Sequence, residues 1–161
     1  MPRGERRPRR AAQGGYTFLA VLVLVALVGL GLAQAGPSWG ERIRREREQA
    51  LLRTGALYAR AIAEYRDESP GTLKAYPESL DALLADPRFI GLHRHLRRLY
   101  PDPIAPDRPW GLVRDIDGRL IGVYSQSDET PLAQGDQRLG ALSLAPARRY
   151  SDWKFIAPAA S

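Results

Sequence analysis

His93 and His95 are the only imidazoles in the chain, and they stand two residues apart in Leu92-His93-Arg94-His95-Leu96. On a helix, positions i and i+2 point about 200° apart and do not chelate together, whereas on a strand they share a face. No acidic or third imidazole partner is apparent in the sequence, so no metal centre is expected here. Arg94, Arg97 and Arg98 follow the histidines closely. Such a group can meet phospholipid headgroups or nucleic acid, but is more often a solvated face with one or two structural ion pairs. Asp115 and Asp117 flank a turn that accounts for them, and Ser125 and Ser127 have no base in view. The absence of cysteine removes thiol nucleophiles, disulfides and Cys-based zinc sites. With no nucleophile motif, no phosphate loop and no suggestively spaced pair of acids, the chain is not expected to be an enzyme.

The elements that must carry these residues begin with charge and hydropathy. The chain has 161 residues and a net charge of +6, enough length for one domain and an appended segment. Five arginines against Glu5 in the first fifteen residues supply most of that charge, so the remainder gives no reason to expect a nucleic-acid partner. From Thr17 to Gly36 the chain has no charged residue. Twenty helical residues span about 30 Å, the thickness of a bilayer core. A single-pass membrane helix over 16–37 is therefore expected, with the basic leader 1–15 in the cytoplasm and everything after Gly36 across the membrane. A secretory signal cut after Ala33-Gln34-Ala35 is the competing reading.

Gly14-Gly15-Tyr16-Thr17-Phe18-Leu19 resembles the processing site of the type IV pilins and type II secretion pseudopilins. The resemblance implies that a prepilin peptidase cuts after Gly15 and methylates the new amino group of Tyr16. It implies that Phe18, Leu19 and Ala20 lie in the assembly surface, and that Pro37 stands where many pilins kink or locally melt the helix. The family's usual glutamate is replaced by Ala20. That carboxylate is thought to neutralise a neighbour's terminal amine in the apolar filament core, where an unpartnered charge is costly. Its loss points to a minor subunit, such as a tip pseudopilin, and equally suits an anchored module that never polymerises.

Beyond Pro37, Ser38 can cap a second helical stretch over 38–68. Ile43, Ala50, Leu51, Thr54, Leu57, Tyr58, Ala61, Ile62 and Tyr65 recur at helical spacing, and Arg and Glu fill the other face. This stripe is broad enough to pack on a sheet. Residues 69–161 then read as loop and sheet. Tyr76 to Leu84 suggests a turn and a short helix, broken at Asp86-Pro87-Arg88, and Pro101-Asp102-Pro103 a rigid corner. The wording from Tyr76 to Leu112 resembles pseudopilin-like proteins related to the G-type pseudopilin. Asp117-Gly118 between two β-prone runs predicts a hairpin, with a third strand over Tyr150–Ile156 and a loop-rich crossing from Ser125 to Arg149.

The expected fold is α+β and pilin-like: a long N-terminal helix, half in the membrane and half amphipathic, packed on a small antiparallel sheet of about three strands. No cofactor is expected. Some G-type pseudopilins bind calcium in a C-terminal loop, which makes Asp128, Glu129 and Asp136 candidates, but six to eight oxygens are needed and these acids are sparse. The resemblance implies a bacterial inner-membrane protein with a periplasmic C-terminal domain. Its implied partners are a prepilin peptidase, other pilin or pseudopilin subunits, an inner-membrane assembly platform and the phospholipid bilayer.

Overall fold

The computed structural model describes residues 14–159, apart from the side chains of 14, 15 and 30–38. The leader up to residue 13 and the Pro37 and Ser38 side chains thus lie outside the described residues. The chain divides into two units, Met1–Arg42 and Ile43–Ser161.

Helix α1 (Gly14–Asp67) begins in the first unit. Every residue from Tyr16 to Gly29 is exposed. Among the described residues no helix is long and apolar enough to cross a membrane. The described side chains of the apolar run stop at Gly29, short of its end at Gly36.

The second unit is α+β. Its strands are β1 (Gly111–Arg114), β2 (Leu120–Tyr124), β3 (Gln137–Leu139), β4 (Leu142–Leu144) and β5 (Lys154–Ile156). They form an antiparallel sheet in the order β1-β2-β5 and a separate β3-β4 hairpin. The part of α1 from Leu51 to Arg66 supplies the helical side of the core. Leu51, Tyr58, Ile62 and Tyr65 are buried along one line, and Leu52, Gly55, Ala59 and Arg66 along the next. The buried arc is broader than the expected stripe and is shifted from it. Ile43 precedes it and stays 45% exposed, and Leu57, two positions from Gly55, stays 39% exposed.

Closeness between helix and sheet is set at Gly55. A Cβ there would overlap the ring of Phe155, which is fully buried on β5. Trp110 meets Phe155 edge-on at 6.3 Å and tilts against Tyr58 at 5.4 Å. Burial of each such side chain favours folding by roughly 1.5–3 kcal/mol, and the aromatic contacts add to it. The polar atoms of these rings are satisfied at the corner before β1. Tyr58 donates to the Tyr100 carbonyl at 3.0 Å and accepts from its N–H at 2.8 Å, while Trp110 Nε1 donates to the same carbonyl. Within the Pro-Asp-Pro corner itself, Asp102 Oδ1 accepts from Ile104 N at 2.9 Å.

The Asp-Gly hairpin forms as expected. Asp115 Oδ1 accepts from Asp117 N and Arg119 N, and Gly118 takes φ +76°, which a glycine adopts without steric cost. The third strand is shorter than expected. Tyr150–Asp152 forms a 3-10 turn and only Lys154–Ile156 pairs with β2. Asp152 Oδ2 accepts from Arg149 N at 3.1 Å, a local bond that competes with extended pairing. The crossing between β2 and β5 also holds more order than expected, since Gln137–Leu144 is a hairpin turned at Gly140, φ +64°. The expected short helix is the 3-10 turn Asp81–Leu83.

Gly55→Ala is expected to destabilise the second unit by about 1–3 kcal/mol, because neither the helix backbone nor the buried ring can yield freely. Urea unfolding followed by the fluorescence of the buried Trp110 and Trp153 measures it.

Candidate functional site

Three places hold the residues that the sequence singles out. The first is the surface of the first unit. The backbone at Gly15 is helical, while Tyr16 is 81%, Phe18 70% and Leu19 59% exposed. Ala20 is exposed and carries no charge. Between Tyr16 and Val28 no large apolar side chain is less than 52% exposed. A continuous apolar surface of this kind is uncommon on monomeric soluble proteins.

The second place is the loop after β2. Asp128, Glu129 and Asp136 are all exposed there. Asp128 pairs with Arg149 at 3.2 Å, Glu129 uses its carbonyl to accept from Tyr150 N at 3.0 Å, and the three do not gather into one ligand set. The loop is held instead by Glu48 of α1, which is only 6% exposed. Its carboxylate accepts from Leu132 N at 2.6 Å, from Ala133 N at 3.1 Å and from the Tyr150 hydroxyl at 2.8 Å. Burial, then the hydrogen bond and charge of Glu48, push the Tyr150 phenol above its ordinary range. In the sequence Glu48 is one of several charges on the polar face of an amphipathic helix. No local pattern distinguishes it, because the groups it satisfies lie 84 to 102 residues away.

The third place is the histidine pair. The chain turns at Asp86-Pro87-Arg88 and doubles back on the preceding 3-10 turn. His95 N and Leu96 N both donate to the Leu83 carbonyl, and Asp86 N donates to the His93 carbonyl. The stretch 92–96 is thus neither helix nor regular strand, and the two rings lie together, centroids 5.0 Å apart. The partner that the sequence did not reveal is Glu68, just past the end of α1. Its Oε2 is 2.7 Å from His93 Nε2 and 3.9 Å from His95 Nδ1. Twenty-five residues separate Glu68 from His93, so sequence spacing held no signal for this meeting.

Beneath the histidines lies a buried ion pair. Asp86 Oδ2 meets Arg88 Nη2 at 2.6 Å and His95 Nε2 at 3.2 Å, and Oδ1 accepts from Arg88 Nε and from the Arg88 backbone N–H. Arg88 reaches on to Ser69 Oγ at 2.6 Å and to the Tyr65 carbonyl at 2.7 Å, with its guanidinium 3.6 Å above the Tyr65 ring centre. Burial raises the pKa of Asp86. The hydrogen bonds from Arg88, helped by His95 and by the Arg88 charge, outweigh burial and hold the carboxyl well below the usual carboxylate range. An ionised carboxylate only accepts hydrogen bonds, so His95 Nε2 carries the proton in that contact.

No family model, no curated protein and no solved structure matches this chain.

The lowered pKa of Asp86 has a sign that can be tested. Its stabilising contribution is complete above the unfolded carboxylate value of about 3.9 and is lost as pH falls through the depressed folded value. Asp86→Asn leaves Arg88 buried without its counter-charge and is expected to cost about 3–5 kcal/mol at neutral pH. The gap between the urea unfolding midpoints of the two proteins is expected to narrow between pH 5 and the most acidic pH at which both still fold.

Proposed function

We propose that this chain is a pseudopilin-like subunit, of a minor type, in a type II secretion or type IV pilus-like fibre. In this reading it is inserted in the bacterial inner membrane through Thr17–Gly36, processed after Gly15 by a prepilin peptidase and methylated at Tyr16. The observation that carries the reading is the apolar surface from Tyr16 to Val28, exposed along its described length and beginning at the Gly15-Tyr16-Thr17-Phe18-Leu19 junction. A surface of that kind must be covered. A bilayer and a bundle of like helices are comparably apolar, so one helix can be stored in lipid and later packed against its neighbours. Helical backbone satisfies its own polar groups in both settings. An amphipathic helix on a small antiparallel sheet, as in the second unit, is compatible with the pilin-like architecture in which the exposed domain forms the outside of the fibre. Assembly in this reading uses Phe18, Leu19 and the Val and Leu positions beyond them, together with other subunits and an inner-membrane platform.

A second reading is a membrane-anchored periplasmic interaction module that does not polymerise. Ala20 favours it, because it cannot supply the carboxylate that in the family is thought to neutralise a neighbour's buried terminal amine.

The intact mass and N-terminal residue of the membrane-extracted chain test the first reading. Coexpression with a prepilin peptidase is expected to yield a chain starting at N-methylated Tyr16, and Gly15→Ala to leave an uncleaved, membrane-bound precursor. A start at Met1 or Pro2 under the same conditions points to the anchored module, and a soluble chain starting at Gly36 to a cleaved secretory signal. Processing of Gly15→Ala at the normal level refutes the assignment of the cut.

A further inference from the structure

We propose that Glu68, His93 and His95 bind a divalent transition metal of the zinc class, with further coordination positions filled by water. One ligand atom from each residue lies within 4.8 Å of the other two. Zinc bonds of 2.0–2.2 Å at tetrahedral angles place neighbouring ligand atoms about 3.3 Å apart. The two separations from Glu68 Oε2, 2.7 Å to His93 Nε2 and 3.9 Å to His95 Nδ1, bracket that value. The side chains of Glu68 and His93 are 50% and 40% exposed, so both can shift by the few tenths of an ångström required. The side chain of His95, 2% exposed, is the fixed member.

The surroundings suit a ligand set better than a simple ion pair. His95 donates Nε2–H to the buried carboxylate of Asp86, which leaves Nδ1 on the side facing Glu68. A ligating imidazole that donates its other N–H to a carboxylate is the usual outer-shell arrangement at protein metal sites, where it fixes the tautomer and ring orientation. The 3.9 Å from Nδ1 to Glu68 is too long for a hydrogen bond. Both rings are also held by packing: His93 lies against Phe89 with centroids 4.4 Å apart, and His95 stands edge-on to Tyr65 at 5.3 Å. Two imidazoles and one carboxylate suit zinc and its first-row neighbours, whereas calcium takes only oxygen. Bound metal would join the end of α1, where Glu68 N still donates to the Glu64 carbonyl, to the stretch 92–96. It would therefore close the loop between them.

The test uses the untagged full-length chain in detergent, stripped of metal and dialysed against Zn2+. One equivalent of zinc is expected to bind, and the Tm is expected to rise with zinc concentration. Since the chain has only two histidines, labelling them with nitrogen-15 makes the assignment direct, and both imidazole signals are expected to shift on zinc binding. His93→Ala and Glu68→Ala change partly exposed side chains and are each expected to weaken binding about tenfold or more, since even outer-shell changes cost that much. Asp128→Asn is expected to leave zinc binding unchanged. Absence of zinc uptake by the wild-type chain at micromolar zinc overturns the proposal, as does uptake that persists at full affinity in both His93→Ala and Glu68→Ala.

Discussion

The distance at which Phe155 rests on the backbone of α1 governs the second unit. With no side chain at Gly55 the ring lies directly against the helix, and this draws β5 and the sheet it edges close to the helix. Trp110 reaches that ring from the start of β1, and Tyr58 reaches Trp110 from the next turn of the helix. Ala59, Ala61 and Ala63 are also buried on this helix. In so small a core a few aromatic rings supply much of the buried area, and their polar atoms need partners. Tyr58 and Trp110 find them at the backbone N–H and carbonyl of one residue, Tyr100, so the corner before β1 is held by the side chains that fill the core.

Charged groups extend that core to segments with little regular structure. Near one end of the buried helical face, Glu48 satisfies two backbone N–H groups and the Tyr150 hydroxyl. Near the other end, Arg66 donates to Tyr76 and to the Pro158 carbonyl, and Arg88 with Asp86 secures the turn beneath the histidines. A buried charge is costly unless nearly all its hydrogen-bonding capacity is used, and each of these has several partners. Their stabilising effect comes with geometric demand, since the loops are held in the one arrangement that presents those partners.

The two units handle apolar surface in opposite ways. The second gathers a core of large side chains that includes Phe155 and Trp153, both at most 1% exposed, and leaves only scattered ones such as Ile90 and Ile116 at its surface. The described part of the first leaves its large side chains open. This contrast underlies the proposed function, in which lipid or like helices cover the apolar face exposed on the described part of the first unit. The proposed metal site depends on none of this, because all its ligands belong to the second unit.

The features legible in the sequence were those encoded by near neighbours. Helical periodicity marked the face from Leu51 to Tyr65, and Asp117-Gly118 marked the hairpin, because both signals lie within a few residues of what they specify. The separation of a charge-free run from an amphipathic stretch was also plain from composition. Tertiary structure decided whatever depends on distant partners. Glu48 read as one more surface charge until the loop at Leu132 folded over it. Tyr150 to Asp152 read as strand, yet a local bond to Asp152 turns that segment away from β2. The histidines are the clearest case. Their spacing does not suit a shared helical face, and the bonds from His95 N and Leu96 N to the Leu83 carbonyl hold this stretch in a non-helical path that brings the two rings together. The third member of the group, Glu68, comes from the end of a helix twenty-five residues earlier, a distance over which sequence pattern carries no information about contact.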